Sequence, residues 1–451
     1  MNARHNLVDG EISTTLISMT VPVILGMLML FSFNLVDTFF ISKLGTEALS
    51  AISFTFPLTF SILSLAIGLG IGTSAVIAKY LGRGDHEKAK QASTVTSYTS
   101  MVITLIVALA AYLFMDQIFL LLGADQSLLA QIREYMAIWL PASMLLVGIM
   151  TANSILRASG DTRTPSMVMA AAGLINAILD PILIFGIGPF PAMGIQGAAL
   201  ATAISWAIGF AYIFYFLYRH ELIFKGLPNL QVLRSSSREM LRIGIPASGA
   251  NMLTPVTAGI MTAIAATYGS ETVAAFGVGS RLESIAILLV LALSTTLPPF
   301  ISQNFGAGRM ERIRDAYRLA LKFVLLSQML IYLLMAAAST LIARVFTQNE
   351  VVIEAISLYI WILPLGYGLQ GVIILTNSAL NALHKPMLAL YLSIVRFFVF
   401  YIPMAWVGSY YFGLVGFFAG ASVGNLLMAM LAWRSFDLLI SSEPATSETA
   451  A

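Results

Sequence analysis

Between residues 14 and 436 the chain is almost entirely a succession of apolar runs long enough to cross a lipid bilayer, and no other feature restricts its fold as much. A spanning helix needs about 20 consecutive apolar residues. Its backbone N–H and C=O groups must be satisfied within the lipid, so such runs become helices. Breaks at polar residues, glycine and proline give twelve of them: 14–43, 47–80, 89–116, 127–156, 164–187, 193–219, 240–268, 271–303, 314–341, 350–383, 387–411 and 413–436. Several exceed the thickness of the hydrocarbon core, which implies tilt or extension past the lipid. Composition agrees, since 58% of the 451 residues are hydrophobic and only 10% are charged. A soluble domain carries about a quarter charged residues. The expectation is an all-α polytopic membrane protein with twelve transmembrane helices. The polar segment Met1 to Ser13 and the length of the first run argue against a cleavable signal peptide.

A net charge of +2 with no basic block gives nucleic acid no footing as a partner. With no cysteine, disulfides, thiolate metal sites and cysteine nucleophiles are excluded. The four histidines, His5, His86, His220 and His384, fall at loops or helix ends. Of the 24 Lys and Arg residues, Lys43, Arg133 and Arg344 lie on one side of the spans and Arg281 and Arg396 lie within them, which leaves 19 on the other side. Those 19, from Arg4 and Lys79 through Lys225 to Arg434, flank the even-numbered connections and the termini. The positive-inside rule then places both termini in the cytoplasm.

The longest polar stretch, 220–239, separates six runs from six, and the halves resemble each other at a fixed offset. At an offset of 224, Pro22, Gly45, Glu47, Gly82 and Gly84 recur as Pro246, Gly269, Glu271, Gly306 and Gly308. Tyr135, Asn153 and Ser154 recur as Tyr359, Asn377 and Ser378. The offset then shortens to 222 for Pro181 and Pro403, and to 219 for Gly194 and Gly197 against Gly413 and Gly416. Six is an even number of crossings, so both copies enter the membrane in the same sense. The lobes are then related by a pseudo-two-fold axis along the membrane normal, an arrangement suited to a rocking carrier more than to a channel. The expected organisation is an N-terminal lobe at 1–219, a cytoplasmic linker at 220–239, a C-terminal lobe at 240–436 and a disordered tail at 437–451.

An ionisable group in hydrocarbon costs about 2.5–3.5 kcal/mol even on lenient scales, so each one needs a reason. Asp37 lies in the first run, Asp180 in the fifth, Arg281 and Glu283 in the eighth, and Arg396 in the eleventh. Asp37 precedes the outer break at Gly45, and Asp180 precedes Gly188, by the same interval of just over two helical turns. At about 1.5 Å per residue both sit roughly 12 Å below the outer face. Thr202 follows Gly194 by that same interval, at a similar depth, and Asn176 shares a helix face with Asp180 at i,i+4. The repeat offers an internal test. Asp37, Asn176, Asp180 and Thr202 correspond to Met261, Phe398, Ile402 and Ala421 in the second copy, so the fold does not require polar groups there. Tyr135 and Asn153 appear in both copies, which leaves a structural role open for them.

Blander readings stand beside these. Asp180 precedes Pro181 and can satisfy backbone groups that the ring frees. Asp37 can be a solvated pore residue, and Thr202 can bond its own preceding turn. Arg281 and Glu283 fit a structural polar cluster. Gly68, Gly70 and Gly72 alternate like a phosphate loop, but in a helix interior they read as close packing or a bend. If the acids do converge, burial and mutual repulsion favour a protonated form, and a lipophilic cation favours the charged one. Proton and cation then compete for one site, the linkage that an exchanger needs. Pro22 gives the first helix a hinge. The 27 Phe and 22 Met residues supply soft surface for varied aromatic guests.

The two parallel six-span lobes, the acid late in the first run and the Gly82-Arg83-Gly84-Asp85 turn after the second closely resemble the multidrug and toxic compound extrusion (MATE) family, from about Thr14 to Arg434. Asn176, Asp180 and Pro181, together with Asp37, are similar to its DinF branch, in which the coupling site lies in the N-terminal lobe. The resemblance implies Asp37, Asn176, Asp180 and Thr202 as a proton or cation coupling site, with Tyr135 and Asn153 lining the cavity. It also implies efflux of organic cations in exchange for protons, by a monomer in the inner membrane, with no cofactor. The NorM-type branch carries an acid in the seventh and tenth helices. Here 251–256 and 356–383 contain none, although sodium at the first-lobe site stays open. A lipid-linked oligosaccharide flippase of the same architecture is the nearest rival, kept open by Arg281 and Arg396. An intramembrane enzyme would need a nucleophile and base for which no buried histidine or cysteine is available.

Overall fold

The computed structural model describes residues 7–442 apart from 225 and 227. Arg4, His5, Lys225 and the tail beyond Ser442 lie outside the described residues. The first half contains α1 (Ile12–Ser42), α2 (Thr46–Gly82), α3 (His86–Leu113), α4 (Met115–Leu121), α5 (Gln126–Ala158), α6 (Arg163–Phe185) and α7 (Gly194–Arg219). The second contains α8 (Leu230–Ala266), α9 (Ser270–Ala286), α10 (Leu288–Gly306), α11 (Met310–Ala337), α12 (Ser339–Phe346), α13 (Glu350–Ile362), α14 (Tyr367–Ala382), α15 (Pro386–Val395) and α16 (Ile402–Ser442). A π-helical stretch, Arg396–Tyr401, joins the last two.

Among the described residues, eleven helical stretches are long and apolar enough to span a membrane. One of them, Pro386–Ser442, has 57 residues, about 85 Å of helix and too long for a single crossing. Gly413 interrupts it with φ 60° and ψ −144°. A Cβ at Gly408 would lie 2.1 Å from the Gly416 carbonyl oxygen, one at Gly420 2.1 Å from that of Met404, and one at Gly424 2.8 Å from that of Phe400. These pairs are all centred on residue 412, as two antiparallel helices require. The stretch therefore folds back on itself, and the chain makes twelve crossings.

The repeat extends to individual backbone angles. Gly45 and Gly269 have φ of 107° and 104°, Gly84 and Gly308 have 74° and 73°, and Gly194 and Gly413 have 55° and 60°. Glycine enters this region without strain, which is why the residue type returns with the geometry. One pair departs from the rule. Gly160 (φ 85°) corresponds to His384, which holds φ 58° with a full side chain.

The chain clusters into two compact units, Ile17–Ser248 and Leu7–Leu16 with Gly249 onward. The polar stretch 220–239 is a linker only as far as Asn229, because α8 begins at Leu230. Its polar composition misleads, for the start of α8 is amphipathic. Ser236, Met240 and Ile243 are buried, while Glu239 pairs with Lys79 at 2.7 Å and Ser237 meets Thr99 at 2.7 Å. A Cβ at Gly72 would lie 2.4 Å from the Met240 carbonyl oxygen, and one at Gly68 2.4 Å from that of Gly244. Two of the alternating glycines thus serve a helix crossing within the first unit. The expected disordered tail is also corrected at its start. The last helix continues to Ser442, because Phe436 stacks on Tyr317 at 3.8 Å and Ile440 is buried one turn later.

Apolar faces point outward as well as inward. On α11, Leu326, Leu330, Leu333 and Leu334 are all at least half exposed, while Val324 and Gln328 are buried. Such a stripe is an aggregation hazard in water and a solvated face in hydrocarbon.

Candidate functional site

Parallel packing of α1 on α6 assembles the acidic pair within the first unit. A Cβ at Gly26 would lie 3.0 Å from Ser166 Cβ, a Cβ at Gly173 would strike the Phe33 ring at 2.1 Å, and Phe40 packs edge-on against Phe185. The first two contacts are seven residues apart on each helix, two turns. Asp37, one turn beyond Phe33, and Asp180, two turns beyond Gly173, lie further along the same two helices. On the far side of α6, a Cβ at Gly197 would lie 2.5 Å from the Leu183 carbonyl oxygen, so α7 also approaches closely.

The four expected groups do converge. Asn176 Nδ2 donates to Asp180 Oδ1 and to Thr202 Oγ1, each at 3.3 Å. The carboxyl groups of Asp37 and Asp180 lie next to each other, close enough to form a hydrogen bond once one of them is protonated. Asp180 is fully buried, and Asp37 Oδ1 and Asp180 Oδ2 are sealed from solvent with no other donor. Two carboxylates have no hydrogen to share, so this contact is a hydrogen bond only when one of them carries a proton. With both ionised, two buried oxygens are orphaned at once. Asp180 makes no side-chain bond to the backbone around Pro181, and Thr202 accepts from Asn176 instead of closing on its own turn.

The remaining expected residues divide. The Tyr135 hydroxyl stands in the electrostatic field of both Asp37 and Asp180. Asn153 is fully buried, neither polar atom of its side chain has a partner, and no hydrogen bond joins it to the acids. The first helix runs unbroken through Pro22. In the second unit Arg281 is exposed and does not form a cluster with Glu283. Glu283 instead accepts from Gln370 Nε2 at 2.9 Å. Gln370 escaped the sequence reading because a lone glutamine in an apolar run carries no periodic signal. Its place one span away from Glu283 appears only when the helices are packed.

A duplicated six-helix lobe with two adjacent acids inside one copy defines a two-lobed membrane carrier. The MatE family model matches the chain twice, over residues 22–182 and 246–407, at the offset of the internal repeat. The chain belongs to this family of MATE transporters. It is 40% identical over its full length, and over 99% of the relative, to an FAD transporter of Shewanella oneidensis. It is 26% identical to the multidrug export protein MepA of Staphylococcus haemolyticus, over 94% of this chain and 93% of that one. The Vibrio cholerae MATE transporter VcmN in the bent form is a similar solved structure, with a TM-score of 0.92, 34% identity, and coverage of 96% of this chain and 97% of that one.

Proposed function

We propose that this protein is a proton-coupled exporter of the bacterial inner membrane, with both termini cytoplasmic and Asp37 and Asp180 as its coupling groups. The observation that carries the reading is the approach of the Asp37 carboxyl to the fully buried Asp180 carboxyl, with one oxygen of each sealed and unpartnered, an arrangement that one shared proton would satisfy. When the proton leaves, two carboxylates face each other in low dielectric. Two unit charges in contact, at an effective dielectric near 20, repel by about 4 kcal/mol, which sets the scale. A lipophilic organic cation relieves that repulsion, and the returning proton displaces the cation. Each ligand weakens the other by the same factor, so exchange is obligatory. Asn176 and Thr202 orient Asp180, and Tyr135 offers a hydroxyl toward both acids. Pro22 lacks the N–H that would close its turn, so α1 can flex there as the charge on Asp37 changes.

A second reading concerns the cargo. The relative that is 40% identical is named an FAD transporter, and the second unit holds a buried guanidinium, Arg396, suited to an anionic group. On this reading a flavin nucleotide leaves the cell by the same proton exchange. The deciding experiment uses the purified chain in proteoliposomes. Efflux of a fluorescent organic cation and of FAD is followed under an imposed pH gradient or sodium gradient. Proton drive is expected for both cargoes. Drive by sodium alone would overturn the coupling ion, and transport of one cargo only would decide between the two.

A further inference from the structure

We infer that the second lobe contains an anion-recognition site centred on Arg396 that receives a phosphate group of the exported solute. The inference rests on reading the chain as an exporter and deepens its second reading.

Arg396 opens the π-helical stretch Arg396–Tyr401, a widened turn of a kind that recurs at functional sites. Its side chain is only 9% exposed, and its Nε is sealed from solvent with no partner. Among the described residues it makes no ion pair and no hydrogen bond, and its one close companion is the Phe397 ring, 4.8 Å from centroid to guanidinium. The carboxylate within its field, Glu283, forms no ion pair with it and accepts from Gln370 instead. A buried cation with no ion-pair or hydrogen-bond partner is costly in a membrane, where intramembrane charges mark substrate pathways.

The Tyr401 hydroxyl stands within electrostatic reach of the guanidinium and is a further donor. A guanidinium fork matches the several oxygens of a phosphate better than it matches a single carbonyl. The repeat gives the same internal test that isolated the acids of the first lobe. Glu283, Gln370 and Arg396 correspond to Thr59, Leu146 and Leu174, so the fold does not demand them. Depth favours a solute over a lipid headgroup. Arg396 is ten residues along the helix from Pro386, about 15 Å, and therefore near the middle of a hydrocarbon core about 30 Å thick.

The test compares riboflavin with flavin mononucleotide, which share one ring system and differ by a phosphate. Their affinities for the full chain in nanodiscs are measured by flavin fluorescence at fixed pH with no gradient. Wild-type protein is expected to bind the mononucleotide at least tenfold more tightly than riboflavin, with inorganic phosphate competing only against the former. Arg396→Gln should weaken mononucleotide binding by roughly 10–100-fold, the worth of a charge-assisted hydrogen bond or two. Riboflavin and a cationic dye should remain within twofold, and Arg396→Lys should retain part of the preference. Equal wild-type affinity for the two flavins would overturn the proposal without any variant, and equal weakening of all ligands by Arg396→Gln would reduce the residue to a structural role. Loss of the preference when phosphatidylglycerol replaces phosphatidylcholine would reassign the site to lipid and overturn the solute. Because no gradient is applied, a failed coupling site shows in transport by the Asp180→Asn variant and leaves this measurement untouched.

Discussion

Replacing Asp180 with asparagine tests the shared proton directly. The amide has almost the shape of the acid and fits the same fully buried position between α1 and α7. It still accepts from Asn176 through its oxygen, and its own NH2 donates to Asp37 permanently, as a protonated Asp180 would. What it cannot do is ionise. The variant therefore lacks the state in which two carboxylates oppose each other, and with it the repulsion of about 4 kcal/mol that would drive the exchange. At about 1.4 kcal/mol per factor of ten, that is nearly three decades in the equilibrium between proton-loaded and cargo-loaded forms. Efflux of a fluorescent cation from proteoliposomes with an imposed pH gradient should fall to the level of protein-free vesicles, and Asp37→Asn should fall with it. Thermal unfolding should shift little, since no cavity forms and no donor is lost. A variant that kept a pH-driven rate within threefold of wild type would refute the shared proton as the coupling device.

Thr202→Ala removes the second acceptor of the Asn176 amide, and binding of the cationic cargo should weaken by up to tenfold, as one neutral hydrogen bond allows; unchanged affinity by fluorescence titration would show that Asn176 needs no anchor. Gly72→Ala places a Cβ 2.4 Å from the Met240 carbonyl oxygen, so overpacking of about 1–3 kcal/mol should lower the thermal midpoint in detergent, and a midpoint at the wild-type value would show that the α2–α8 crossing yields. Outside the membrane, Asp85 caps α3: its side chain is held below the usual carboxylate range by its hydrogen bonds to the Lys88 ammonium and backbone N–H. A lowered folded-state value means that the stabilisation is present above the ordinary value of about 3.9 and is lost as pH falls through the lowered one. Hydrogen exchange across the first turn of α3 should accordingly loosen on an acid step in wild type, and Asp85→Ala should be loose already at neutral pH.

Much of the architecture was legible because lipid leaves few options. Twelve runs, their common sense of entry and the two-copy arrangement follow from run length and from glycines that return with their backbone angles. The depth of the acids was legible too, since Asp37, Asp180 and Thr202 each stand the same interval from a glycine break. The linker and the tail were read too long, and for one reason. Polarity marks a face as wet without saying that the backbone is irregular, so Arg234, Arg238 and Arg242 disguised a helix whose opposite face, at Ser236, Met240 and Ile243, is buried. The role of Asn153 was not decidable from its recurrence. It is sealed away from the acids that its helix neighbour Tyr135 faces. The isolation of Arg396 was equally hidden, because a sequence shows a charge but not whether a partner reaches it.

The two lobes put one inherited frame to opposite chemical uses. Tyr135 and Tyr359 occupy the same place in the repeat, and each faces a lobe-specific acid: the Asp37–Asp180 pair in the first, Glu283 in the second. The tyrosine thus belongs to the frame, and what it faces has changed. In the first lobe the polar set is two acids with an amide and a hydroxyl, which suits a proton or a cation. In the second it is an acid that accepts from an amide, beside a guanidinium with no partner. A carrier built from two copies can keep its coupling ion in one while the other adapts to the cargo. Selection on cargo would then change the second lobe without disturbing the acidic pair of the first. Within one such architecture, relatives named for multidrug export and for FAD transport are what that division of labour would produce.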